Sequence, residues 1–424
     1  MTYEELLKRG PYEIGAAEKR KLYGEMLGEL TDSHRERCRV YDHSCEALGD
    51  QRGSRRTEEE IPMVPVSMFK ETEMRSVPTG EVFKTVTSSG TSGQKTSKIV
   101  LDEQTASWQQ RTLQKIVADF IGEKRIPMLI IDAPNVLRDR ALFSARGAGI
   151  LGFSIFGSKR CYALREDMSL DLEAVESFLE KAGDGPVLVF GFTYMIWKYF
   201  YEPLKKSGHK LHLEHGFMIH GGGWKKLANE AVSAEQFRDG LREVCGILDV
   251  RNYYGMAEQT GCIYMECECG HLHASSYSDV LIRNMEDFSC CKNGTEGVIQ
   301  VLTPMAWSYP GHSILTEDKG MILGEDDCPC GRKGKYIRIT GRIPKAEVRG
   351  CSDTFETGRE IREEDADVTL LAGGMDLTSA PEVPFEETTM NFLSALSDRI
   401  RELPRMLSGE EMRMLGFWLR RSNL

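Results

Sequence analysis

No stretch of this 424-residue sequence stays apolar over the ~20 residues that a helix needs to cross a bilayer. A secretory leader is missing too. The opening residues, MTYEELLKRGPYE, are acidic and polar, with no apolar segment behind a basic one. Both absences point to a cytoplasmic protein. Positive charge is in deficit: 54 Lys and Arg stand against 65 Asp and Glu, a net charge of -11, which argues against a non-specific nucleic-acid binder. Cysteine is plentiful at 12 residues, but it does not form the spread expected of a disulfide framework. It clusters at Cys262, Cys267 and Cys269, at Cys290–Cys291, and at Cys328 and Cys330, as metal ligands or reactive thiols do in a reducing compartment.

What is present begins with a glycine-rich run, TVTSSGTSGQK, from Thr85 to Lys95. Thr87, Ser88, Ser89, Thr91 and Ser92 supply hydroxyl donors. Gly90 and Gly93 free the backbone to turn its N–H groups toward an anion, and Lys95 adds positive charge. That composition suits phosphate. On its own it equally describes a polar surface turn.

The surrounding pattern is α/β. Residues 1–60 read as mostly helical. Val82–Val86 is β-like, and Glu103–Phe120 is a helix with Trp108, Leu113, Ile116 and Phe120 broadly on one side. Extended runs at Pro127–Ile131, Gly149–Phe156, Pro186–Phe190 and Lys210–Ile219 alternate with helical ones at Asp139–Gly147, Leu172–Ala182 and Phe192–Lys206. This alternation predicts a mostly parallel sheet flanked by helices, with ligands at the carboxyl ends of its strands. Strands at Val280–Arg283 and Gly297–Leu302 begin a β-rich part. The expected division is a core over 1–342 (helical 1–60, α/β 82–260, β-rich 261–340), a short segment 343–355, an acidic linker 356–384 and a helical tail 385–424.

Further candidates follow the glycine-rich run in order. In Tyr253-Tyr-Gly-Met-Ala-Glu258 an aromatic ring can stack on a purine, and Glu258 can hold the Mg²⁺ that neutralises ATP phosphates. Asp318 can accept both ribose hydroxyls, and the fork of Arg342 can reach ribose or phosphate. Cys267, Cys269, His271 and His273 lie 55 or more residues before Cys328 and Cys330, and two such clusters could complete a structural zinc site. The alternative is a set of reduced core cysteines, and Cys290–Cys291 could displace either choice.

The segments LVFGFTYMIWKYF, HGGGWKK, YYGMAEQTG, CPCGRKGKYIRITGR and KAEVRGCS resemble the adenylate-forming superfamily of acyl-CoA synthetases. Within it, residues 1–355 are most similar to the acyl-protein synthetases of bacterial bioluminescence systems, with phenylacetate–CoA ligases as more distant cousins. The resemblance implies an adenylate-forming α/β core, a β-rich subdomain and a truncated C-terminal lid. It implies that Thr87–Gly93 grips the β- and γ-phosphates. Gly221, Gly222, Gly223 and Trp224 would line the adenine side, Tyr254 and Gly255 would pack on adenine, Glu258 would bind Mg²⁺, Asp318 would hold ribose, and Arg342 would sit near the hinge. It favours Cys267, His273, Cys328 and Cys330 as the zinc set, and it places the acceptor thiol at Cys351 of VRGCSD, beside Arg349. Two departures stand out. The usual Gly-Thr-Thr-Gly before Pro-Lys is here Gly90-Thr-Ser-Gly93 with Gln94, and the room for a lid is short, leaving Lys345 as a substitute for the lid lysine. FLSALSDRI and MLGFWLRRSNL resemble the start of the acyl-CoA reductase partner of that system.

These expectations amount to an ATP-dependent acyl-protein synthetase acting on a fatty or other apolar carboxylate and delivering it to a reductase. The alternatives are a ligase that passes the acyl group to CoA, and a non-catalytic subunit that binds a reductase. The two apolar-faced helices of the tail could also serve self-association.

Overall fold

The computed structural model describes residues 1–88, 96–137, 145–224 and 231–343. The strands in chain order are β1 (Val64–Pro65), β2 (Lys84–Thr87), β3 (Lys98–Leu101), β4 (Ile126–Ile131), β5 (Gly157–Tyr162), β6 (Val187–Phe192) and β7 (Gly216–Gly221). They continue with β8 (Asp249–Tyr254), β9 (Tyr264–Glu266), β10 (Leu272–His273), β11 (Asp279–Arg283), β12 (Gly297–Leu302), β13 (Ser313–Glu325) and β14 (Lys335–Arg342). Twelve of them make one sheet, ordered β11-β12-β13-β14-β10-β9-β8-β7-β6-β4-β5, with β1 paired to β13, while β2 and β3 form a separate hairpin.

The sheet has two halves. From β5 through β4, β6 and β7 to β8 every pairing is parallel. Helices connect these strands, as parallel crossovers require. VLVFGF in β6 is buried at every position, as a strand covered on both faces must be. From β8 onward the path pairs antiparallel, through β9, β10, β14, β13 and β12 to β11. The β-rich stretch expected from sequence thus continues the same sheet.

One element differs in kind from its expectation, the extended run at Lys210–Ile219 is a strand only from Gly216, and most of the helical run expected at Asp139–Gly147 lies outside the described residues. Gly149–Phe156 is not a strand: Ala145–Phe153 is an α-helix followed by a 3-10 turn at Ser154–Phe156, and β5 begins only at Gly157. The reason is position. β5 lies at the end of the sheet, where Ser158, Lys159 and Arg160 face solvent, so its composition is polar and masks the strand. The helix before it buries Ile150 and Phe153 in the core, and its apolar run imitates a strand.

The N-terminal helix Ala16–Arg37 is held to the antiparallel half by buried charge. Lys19 Nζ lies 3.7 Å from Asp279, and Lys335 Nζ lies 3.4 Å from Asp279 and 3.3 Å from Glu58. All four side chains are nearly inaccessible. Burial, with Asp279 beside it, pushes the Glu58 carboxyl up to about 8. Folded Glu58 therefore keeps its proton at pH values where the unfolded chain has lost it. Its contribution to stability is full below the ordinary carboxylate range and is lost as pH rises through about 8. Thermal melts of wild type and Glu58→Gln should show the wild type's advantage shrinking by about 2 °C or more between pH 5 and pH 8.5. A pH-independent difference would contradict this.

Among the described residues, no helix is long and apolar enough to cross a membrane.

Candidate functional site

The parallel strands end level with one another. Ile131 of β4 is in register with Gly191, Phe192 of β6 with Gly221, and Gly221 of β7 with Tyr253. Three segments expected to bind nucleotide leave the sheet here: Gly221–Gly223 after β7, Tyr254–Gly255 at the end of β8, and the turn Ala257–Gln259 that carries Glu258. This is the carboxyl edge, where open α/β sheets bind ligands.

The glycines of the first turn are required by their surroundings. A Cβ on Gly221 would overlap the Tyr253 ring, and Gly222 has φ +74°, which favours glycine. Thr193, the first residue of the helix that follows β6, braces the turn. Its hydroxyl donates toward the carbonyls of Gly221 (3.2 Å) and Gly222 (2.8 Å) and lies 2.9 Å from His220 Nδ1. Burial holds His220 far down, at about 3, so the ring is neutral. Trp224 is half-buried, its ring edge-on to Trp197 at 5.9 Å and to Phe237 at 6.4 Å, within an aromatic cluster on the helix side.

At the end of β8, three of the expected ligands meet. The Tyr254 hydroxyl donates to Asp318 Oδ2 at 2.9 Å, and Arg342 Nε donates to Asp318 Oδ1 at 3.0 Å. Asp318 and Arg342 are opposite one another in the β13–β14 pairing. Burial and the Asp318 carboxylate push the Tyr254 phenol well above its ordinary value, so it remains a donor. Asp318 keeps partial exposure, 21% of its side chain.

The glycine-rich run joins β2 to β3. Its feet are closed by Ser88 N–H donating to the Ser97 carbonyl (3.1 Å) and Ser97 N–H donating to the Ser88 hydroxyl (2.9 Å). Thr87 and Ser88 are thus placed, whereas Ser89, Gly90, Thr91, Ser92, Gly93 and Lys95 lie outside the described residues, as do Lys345 and Cys351. The hairpin and the Glu258 turn are bridged by two adjacent residues. Ser308 donates to the Val100 carbonyl of β3 at 2.9 Å, and Tyr309 donates to the Glu258 carbonyl at 2.7 Å. Val86, Tyr254 and Met256 also pack against one core cluster. Strand β3 and the Glu258 turn are accordingly tied to one short segment, Ser308–Tyr309.

The cysteine cluster is a separate construction. Cys267, His273, Cys328 and Cys330 bring one ligand atom each within 4.8 Å of the others. The Cys267 and Cys328 sulfurs are 3.8 Å apart, and Cys330 Sγ is 3.4 Å from His273 Nε2. A tetrahedral Zn²⁺ with bonds of about 2.3 Å to sulfur and about 2.05 Å to nitrogen needs edges of about 3.8 Å and about 3.6 Å, so these residues fit the ion. Cys269 is exposed and stays outside the group, giving only its backbone N–H to Cys267 Sγ at 3.4 Å. His271 reaches Cys328 through Nδ1 at 3.3 Å from the margin. The pairing of β10 with both β9 and β14 is what gathers the two sequence clusters.

Sequence reasoning passed over Thr193, Gln259, Ser308 and Tyr309. Thr193 and Gln259 lie in quoted segments, LVFGFTYMIWKYF and YYGMAEQTG, but neither residue type signals its partner there. Ser308 and Tyr309 carry no local signal, since each acts through a backbone carbonyl remote in sequence.

The fold has solved counterparts. A crystal structure of 2-hydroxyisobutyryl-CoA ligase in an open conformation, in complex with 2-HIB-AMP and CoA, matches with a TM-score of 0.60 at 17% identity, covering 80% of this chain and 78% of that one. Fold and family together place the protein among the ATP-dependent adenylate-forming ligases. More narrowly, the family described as acyl-protein synthetase, LuxE, matches residues 3–358, and the chain belongs to it. Two similar relatives are long-chain-fatty-acid–luciferin-component ligases. The one from Aliivibrio fischeri is 22% identical over 362 residues, covering 81% of this chain and 90% of that protein. The one from Vibrio harveyi is 22% identical over 358 residues, covering 81% and 89%.

Proposed function

We propose that the crevice at the carboxyl edge converts an apolar carboxylate to its acyl-adenylate and hands the acyl group to a thiol. The observation that carries this reading is the convergence of Tyr254, Asp318 and Arg342 beside the turn that bears Glu258. In the first half-reaction a carboxylate oxygen attacks the α-phosphorus of ATP, the bond to the bridging oxygen breaks, and pyrophosphate leaves. In the second a thiolate attacks the acyl carbonyl and AMP leaves. Both need alignment and neutralised charge more than covalent help from the protein.

The roles divide by chemistry. Tyr254 and Gly255 form a platform for adenine, opposite Gly221–Gly223. Asp318, anchored from two sides, offers its remaining lone pairs to the ribose hydroxyls. Thr87 and Ser88, with the residues that follow, cap the terminal phosphates. Glu258 supplies a hard oxygen ligand for Mg²⁺, which balances the phosphate charge when nucleotide is bound. If Asp318 holds ribose, Asp318→Ala should raise KM for ATP about 10- to 30-fold while lowering kcat much less. Steady-state kinetics at saturating acid test this, and an unchanged KM would remove Asp318 from the nucleotide site.

Of the two thiols, free CoA has the stronger support, because a fold neighbour that spans most of this chain carries CoA together with an acyl-adenylate. Cys351 is the second reading, favoured by the family description as acyl-protein synthetases. Arg349 beside it would favour the thiolate. Incubation with ATP, Mg²⁺ and a labelled long-chain acid separates them. Soluble thioester that requires CoA supports the first reading. Label retained on the protein and lost in Cys351→Ser supports the second, and would make delivery to a reductase the next step. Label in neither form would reject the transfer step.

The four-residue cluster is proposed as a structural zinc site. Four protein ligands leave no coordination position open, so it takes no part in the reaction and instead ties the β9–β10 hairpin to the turn at Cys328–Cys330.

A further inference from the structure

We infer that Tyr309 is a positioning residue for Glu258. Glu258 sits in a single 3-10 turn, Ala257–Gln259, between the end of β8 and the start of β9. So short a turn does not fix a side chain by its own hydrogen bonds. Its fastenings come from β12 and from the segment between β12 and β13. The Tyr309 hydroxyl donates to the Glu258 carbonyl at 2.7 Å, and the Gln259 amide donates to the carbonyls of Gly311 (2.9 Å) and Val301 (3.2 Å). Tyr309 and Gln259 are both buried, so these bonds are made away from competing water. The Tyr309 ring lies over Gly311, where a Cβ would overlap it.

The segment that carries Tyr309 is itself held rigidly. His312 Nε2 is 3.0 Å from the Thr31 hydroxyl and 3.2 Å from the Tyr41 hydroxyl. His34 reaches the Ala306 carbonyl at 2.8 Å and the Ser76 hydroxyl at 2.7 Å. The two imidazoles stack at 5.0 Å. Ser308, next to Tyr309, holds the Val100 carbonyl of β3 and accepts the Ser76 N–H through its own carbonyl at 2.8 Å. One braced segment therefore grips the hairpin of the glycine-rich run with one residue and the Glu258 backbone with the next. Its effect is to fix the Glu258 turn relative to the β2–β3 hairpin before nucleotide arrives, which is the kind of preorganisation that lowers a barrier dominated by charge.

The inference rests on the assignment of Glu258 to Mg²⁺, and the test separates the two. Tyr309→Phe keeps the ring and removes only the donor. It should raise the Mg²⁺ concentration for half-maximal acid-dependent ATP–pyrophosphate exchange about three- to tenfold, with little change in KM for the acid or in Tm. Gln259→Met, which unfastens the same turn at another carbonyl, should move the Mg²⁺ dependence in the same direction. A fall in activity with the Mg²⁺ half-point unmoved in both variants would mean that Tyr309 only supports the fold, and would overturn the inference, as would no change at all. Glu258→Gln is the control for the underlying reading: full activity with an unaltered Mg²⁺ response there would reject the role of Glu258 itself, whatever Tyr309→Phe does.

Discussion

Glu258→Gln should lower acid-dependent ATP–pyrophosphate exchange by about 10²- to 10³-fold while leaving Tm within about 2 °C of wild type. The size follows from what is removed. Amide for carboxylate keeps the volume of the side chain but deletes the negative oxygen that would ligate Mg²⁺, and phosphoryl and adenylyl transfers depend on neutralising the charge of the phosphates. Fold stability should be spared because the turn is fastened through main-chain and neighbouring groups, by Tyr309 to the Glu258 carbonyl and by the Gln259 side chain. Exchange assays at saturating acid, paired with thermal melts, check both halves. A variant that loses exchange only in proportion to lost folding would show that Glu258 is structural.

The second large effect concerns the cysteine cluster. Cys328→Ser should cost about one equivalent of bound zinc per chain and lower Tm by about 5–10 °C. Cys328 is buried and touches both Cys267 and His271, so its sulfur is central to the group. Serine is a much poorer ligand for this ion, and the folding free energy supplied by the metal is lost with it. Cys269→Ser, one of the exposed positions nearby, should retain both metal and Tm. Metal analysis by mass spectrometry on the purified full chain, with melts before and after chelation, makes the comparison. Zinc-free wild-type protein with an unshifted Tm would leave the cluster as reduced cysteines.

The elements that were legible in the sequence are those whose burial matches their periodicity. β6 reads as a strand because both faces are covered, and Leu172–Ala182 reads as a helix because its apolar face packs partly buried on the core and its Asp171 cap is visible. β5 was hidden by its edge position, and the apolar helix before it took its place in the reading. The helix Ala234–Cys245 carries a capping box from Ser233 to Gln236 and buries Phe237, Leu241 and Val244 on one face, so its signal was present but unread.

The site divides in the same way. The glycine-rich run, Glu258, Asp318 and Arg342 stand out one by one as candidates from residue type and from family resemblance. That Asp318 faces Tyr254 is a property of the sheet: the two are 64 residues apart, and the path from β8 through β9, β10 and β14 to β13 is what brings them together. C-x-C spacing could not choose between Cys267 and Cys269, while the resemblance favoured the former and the geometry gathers it with His273, Cys328 and Cys330. Tyr309 could not be read at all, because its partner is a main-chain carbonyl 51 residues away.

The account stands most directly on acid-dependent ATP–pyrophosphate exchange by the intact chain, measured with Mg²⁺ across a series of carboxylic acids from short to long. It predicts exchange that appears only when an acid is present, saturates with that acid, falls away in Glu258→Gln, and in Asp318→Ala needs a much higher ATP concentration. Folded, metal-replete protein that exchanges no pyrophosphate with any acid in the series would contradict it.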